Sequence, residues 1–127
     1  MSRPVSTDQQ SLGKDETDTL IAASKVQGTD VYNGAGEHIG DINDLMIDKV
    51  SGKVAYAVIA FGGFLGMGER LRALPWTVLR YSANQGGYVT DASDGVLRST
   101  PETGDYTNRA WAMRLHEHYG VTPYWVP

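Results

Sequence analysis

The segment FGGFLGMGERLRALPW, residues 61–76, sets four glycines within seven positions directly after an apolar run. Main-chain N–H groups bared by glycine can cradle a phosphate, so nucleotide chemistry is the first possibility to test. A dinucleotide fingerprint needs G-x-G-x-x-G opening a helix. Gly66 and Gly68 have the first spacing, but Leu71 stands where the third glycine belongs. A P-loop needs lysine and then serine or threonine after its last glycine; here Glu69 follows Gly68, and its carboxylate would repel the anion. The stretch reads instead as a wide hairpin between two strands, its glycines permitting close or left-handed backbone. Phe64, Leu65 and Met67 lie near its tip, either folded back over the mouth of the domain or presented as a small contact patch.

His116-Glu117-His118 invites a metal reading. Residues two apart on a helix point about 200° apart, so these imidazoles cannot chelate one ion. The i, i+4 histidine pair of a zincin is absent. Both histidines are expected at a solvated helix end, where cations suit the C-terminal dipole. His38 is expected beside a turn and exposed. Ser51, Ser82, Ser93 and Ser99 have no histidine at a motif spacing, which leaves nucleophilic catalysis without support. Glu37, Asp41, Asp44 and Asp48 form a loose acidic series on one strand. They read as a solvated face that discourages edge pairing, with proton uptake or a docking face as the functional alternative. No catalytic, metal or cofactor-binding residue is assigned, and no cofactor is expected.

Composition narrows the classes further. The chain of 127 residues fits one domain and contains no cysteine, which excludes disulfides, thiolate catalysis and Cys-ligated metal centres. Eleven Lys and Arg are scattered among fifteen Asp and Glu, for a net charge of -4. Nucleic-acid binding needs a massed cationic face and is not expected. The longest apolar run, residues 54–68, falls short of the roughly 20 residues of a membrane span. The first residues lack the apolar core of a signal peptide. A cytoplasmic protein without membrane insertion is expected, with peripheral association left open.

The elements that must position these residues are short. Residues 1–19 are polar and read as a flexible tail. Turn chemistry recurs at Asn33-Gly34-Ala35-Gly36, Val50-Ser51-Gly52 and Asn84-Gln85-Gly86-Gly87, with β-branched and aromatic residues between. Strands are expected at 29–32, 38–48, 53–61, 69–74 and 88–91. In the second, Ile39 and Leu45 share parity but Ile42 does not, which calls for a bulge. Helical turns are expected at 75–79 and 91–97. The strand 53–61 is apolar on both faces, so one face needs a lid from elsewhere in the chain or from a second subunit.

The C-terminal segment can supply that lid. Residues 107–119 have helical spacing, with Trp111, Leu115 and Tyr119 at four-residue steps, and Gly120 suits the C-cap. That stripe serves either as intrachain docking or as an intersubunit contact. The ending is aromatic, and leaving Trp111, Tyr124 and Trp125 in water would forgo about 1.5–3 kcal/mol of burial each. Domain organisation is read as a tail at 1–19, a β domain at 20–100 and a docking C-terminal helix and extension at 101–127.

Residues 23–48, then Ser51-Gly-Lys-Val-Ala-Tyr56, then FGGFLGMGE and Leu74-Pro75-Trp76, together resemble the PRC-barrel family, whose name comes from the cytoplasmic barrel of the photosynthetic reaction-centre H subunit. Gly28, Gly36, Gly40, Asp48 and Gly52 fall where family turns and strand bends are expected; Arg70, Leu71 and Arg72 depart from a more aromatic pattern. The resemblance implies a mainly β fold, a small antiparallel PRC-type barrel with short helical turns and a C-terminal helix. It also implies interaction or assembly without catalysis. The expected partner is a second copy, in a homodimer or small homo-oligomer, or an unknown protein. The alternative is a regulatory partner of a membrane-bound redox or photosynthetic electron-transfer complex. Phe64, Leu65, Met67, Trp111, Leu115, Tyr119, Tyr124 and Trp125 are the candidate contact residues.

Overall fold

The computed structural model describes residues 16–62 and 70–127. Phe64, Leu65 and Met67 lie outside the described residues. In chain order come α1 (Ala23–Val26), β1 (Asp30–Tyr32), β2 (His38–Ile47), β3 (Val54–Phe61), β4 (Arg70–Pro75), a 3-10 turn (Trp76–Val78), β5 (Arg80–Ser82), β6 (Gly87–Val89), α2 (Asp94–Arg98) and α3 (Arg109–Tyr119). The strands form one sheet in the order β4-β3-β2-β1-β6-β5. The fold is mainly β with short helical turns and a C-terminal helix, as the sequence implies. One ladder differs from the antiparallel expectation: β1 runs parallel to β6, with Val31 opposite Tyr88 and Tyr32 opposite Val89.

Local chemistry explains the elements. β3 is rich in β-branched and aromatic residues and pairs on both sides, with β2 and β4. β2 shifts register between Ile42 and Asp44, the bulge that its side-chain parity required. The 3-10 turn follows Pro75, whose ring cannot continue a ladder that needs its N–H. α2 starts at Ser93, whose hydroxyl accepts from the Val96 N–H. Asn108 Oδ1 caps α3 by accepting from the Trp111 N–H at 3.1 Å. Gly120 ends α3 in the left-handed region at φ 66°. There its N–H bonds Glu117 O and the Val121 N–H bonds His116 O, the paired closure of a Schellman motif.

Burial falls into two clusters. The first gathers Val31, Ile39, Ile42, Ala57, Ile59, Phe61 and Leu74 from the sheet with Val26 of α1 and Leu97 of α2. The second joins Ala55, Tyr56 and Ala73 of the sheet to Trp111, Ala112 and Leu115 of α3. Two elements were not expected from the sequence, α1 and β5, and both are four residues or fewer. Part of the segment read as tail is held in place. Glu16 bridges to Ile21 and lies 3.3 Å from Lys25 Nζ, and Thr17 Oγ1 accepts from the Leu20 N–H.

Candidate interaction site

Tyr56 is the centre of the seam between sheet and helix. β3 points its ring away from the first cluster, and four rings meet it at centroid separations of 5.5–5.8 Å: Tyr106, Trp111, His116 and Tyr124. Trp125 closes on His116 at 5.5 Å, and the Arg109 guanidinium sits 3.8 Å above the Trp125 ring. Trp111 is anchored by its Nε1–H, which donates to Glu102 O at 2.9 Å. Burial, followed by neighbouring Tyr124 and Tyr106, pushes the Tyr56 phenol up to about 12.

Two polar atoms inside this seam have no partner among the described residues: the Tyr56 hydroxyl and His116 Nε2. His116 is 1% exposed. Its Nδ1 lies 2.7 Å from Ala112 O, which assigns a ring proton to Nδ1. The sequence-based placement of His116 at a solvated helix end is therefore corrected. It follows Ala112 by one helical turn and flanks Leu115, so it shares the face that packs on β3.

His118 looks the other way, toward α2. Its Nε2 donates to Val96 O at 2.8 Å and lies 3.4 Å from Ser99 Oγ. This pair is not a nucleophile and its base. The Ser99 hydroxyl donates to Gly95 O at 2.7 Å, and the imidazole nitrogen facing it already carries a proton. Tyr119 ties α3 to the segment just past α2. Thr100 Oγ1 donates to Leu97 O and so accepts from the Tyr119 hydroxyl, while burial raises that phenol to about 12. His38 is exposed, as expected, and pairs with Asp30 at 3.1 Å.

The acidic series has separate local tasks. Glu37 bonds the Asn33 side chain, and Asp44 accepts from Gln27 Nε2 and the Leu45 N–H. Asp48 folds the β2–β3 turn by accepting from Ser51 Oγ at 2.7 Å and the Val50 N–H, contacts that hold its carboxyl below the usual range. The same turn displays Val50, 95% exposed, with Ile47 half-exposed at the end of β2. Ile47 pairs with Val54, and Val54 and Lys53 border an open groove of about 500 Å³ with Trp76, Thr77, Pro123, Tyr124 and Val126. Tyr124 and Val126 are themselves 39% and 46% exposed.

A scan against protein-family models matches the PRC-barrel domain over residues 18–97, more than half of the chain. The chain belongs to the PRC-barrel family. A search of curated proteins finds no match. The PRC-barrel match takes in every described strand and most of α2; α3 and the aromatic ending lie beyond it.

The candidate contact residues thus divide sharply. Trp111 and Leu115 are buried on the PRC-barrel sheet, Tyr119 touches both core clusters, and Trp125 is half-buried under Arg109. Tyr124 has one face in the seam and one on the groove. Sequence reasoning missed Tyr56 and His116 as seam residues, and Ile47, Val50 and Val126 as exposed ones. A signal for Tyr56 was present, since it is the largest side chain on the outward face of a doubly apolar strand. Among the described residues no group of three histidines or carboxylates could hold a metal ion, and no helix is long and apolar enough to cross a membrane.

Proposed function

We propose that this PRC-barrel protein is a non-enzymatic interaction module that pairs with a second copy of itself through the end displaying Val50. The observation that carries the reading is the exposure of Ile47 and Val50 at the β2–β3 turn, next to an open groove lined by Val54, the strand partner of Ile47, and by the exposed Tyr124 and Val126. Large apolar side chains gathered at one place on a small domain are a feature of contact surfaces. The outer face of β3 is covered by the chain's own α3, which supports a contact elsewhere on the molecule. Lys49 and Lys53 flank Asp48 on the same turn. A two-fold contact, which sets a patch against itself, can therefore oppose lysines of one copy to the carboxylate of the other. Membership of the PRC-barrel family supports binding rather than catalysis.

Light scattering across a wide dilution range tests the proposal. The full chain should be a dimer at high concentration, and Val50→Glu with Val126→Glu should give a monomer of unchanged helix content. A full chain that is monomeric at every concentration ends the self-association reading. A dimer indifferent to both substitutions moves the contact elsewhere.

A further inference from the structure

Asn33-Gly34 carries a chemistry that the interaction reading does not use. In an Asn-Gly pair the main-chain nitrogen of glycine can attack the asparagine Cγ, since no Cβ obstructs its approach. The N–Cγ bond forms, the Cγ–Nδ2 bond breaks, and the amide nitrogen leaves as ammonia. Water then opens the cyclic imide at either carbonyl, giving aspartate or isoaspartate. Neither an oxidant nor an enzyme is required.

The fold holds this amide at both ends. Asn33 is buried, at 5% exposure. Its Oδ1 accepts from the N–H groups of Ala35 at 3.0 Å and Glu37 at 2.9 Å. Its Nδ2 donates to Glu37 Oε1 at 3.0 Å and to Asp94 Oδ1, in the first turn of α2, at 3.4 Å. Both ends of the amide are thus committed, and the carboxamide cannot swing toward Gly34 N without breaking these bonds. Asp91 adds a third carboxylate, its Oδ1 3.5 Å from where a Cβ on Gly34 would lie. The same oxygen is paired with the Arg80 guanidinium at 3.4 Å.

We propose that Asn33 is a modification site, a hydrolytic switch that the fold holds off while the 33–37 turn stays bonded to α2. Opening of that contact exposes the amide to attack. Conversion is then self-locking, because a carboxylate at position 33 has no N–H to give and faces Glu37 and Asp94 as a like charge. The β1–β2 turn and α2 are left without their bridge.

The test follows amide loss at Asn33 by peptide mapping of the full chain, incubated at mildly alkaline pH folded and in concentrated urea. Loss should be about tenfold or more slower in the folded chain, the factor set by how seldom the turn opens. Gly34→Ala, whose added methyl meets only ordinary contact, should slow the urea reaction. Equal rates at Asn33 folded and unfolded would overturn the proposal. A second arm reads the locked state. Asn33→Asp should lower the melting temperature, and Asn33→Asp with Asp94→Asn should recover part of it by returning an N–H donor to the bridge. An unchanged melting temperature for Asn33→Asp overturns the self-locking step. If that variant does not fold, the wild-type kinetics still decide the gating.

Discussion

Tyr56 and Tyr119 keep their phenols protonated inside the molecule, and each is raised from its usual 10.0 to about 12 chiefly by burial. The folded chain therefore holds these protons more tightly than the unfolded chain does. Their contribution to stability is fully present below pH 10 and is lost as pH rises from 10 toward 12. Tyrosinate absorbance and helix content should change together in that window, later than exposed tyrosines ionise. Tyr56→Phe with Tyr119→Phe should move the alkaline transition upward. Ionisation of both residues near pH 10 with the fold intact would contradict this account. At neutral pH the two changes differ. Tyr56→Phe removes a hydroxyl that has no partner among the described residues and should be near neutral, whereas Tyr119→Phe loses the bond to Thr100 and should cost about 1 kcal/mol.

Strand β2 lies so close to β3 that a Cβ on Gly40 would stand 2.4 Å from Ala60 O. The obstruction is backbone, which no rotamer change relieves. Gly40→Ala should therefore destabilise by about 1–3 kcal/mol or more in urea unfolding. Gly62→Ala, where a Cβ meets nothing within 4 Å among the described residues, should be close to neutral. Equal stability of the two variants would refute the close approach as the reason for glycine. The same elements show what was legible in the sequence. β3 was readable because its apolar residues run on both faces, and α3 because its stripe, its Asn108 cap and Gly120 agree. α1 and β5 were not, since three or four residues are too few to show a period. The β1–β6 pairing joins segments more than fifty residues apart, and nothing local in either three-residue strand marks it as parallel. His116 was misplaced because its polar type was weighed above its position, one turn from Ala112 on the packed face. The exposed end near Val50 was illegible for another reason: exposure depends on what fails to cover a residue, which no single segment records.

The two buried clusters share Tyr119, and α3 is bonded to α2 through His118 and to Thr100 just past α2 through Tyr119, as well as packed on β3. β4, the sheet edge beneath it, is also held by the approach to α3, since the Ala73 N–H donates to Thr103 Oγ1 at 3.2 Å. A lid tied to the sheet, to its edge and to α2 should not open as a separate unit. The whole described structure is therefore expected to unfold in one transition, with helix circular dichroism and tryptophan fluorescence superimposing along a urea titration. Trp76 reports on the first cluster and Trp111 on the second, so single-tryptophan variants separate the two signals. Leu115→Ala, which empties a fully buried site in the second cluster, should cost about 2–5 kcal/mol. It should shift both tryptophan signals by the same amount. If α3 were only an appended lid, the substitution would move the Trp111 transition and leave that of Trp76 in place. That result would also reopen β3 as a surface for a partner, because a lid that leaves early exposes Tyr56 and Ala73 while the first cluster is still intact.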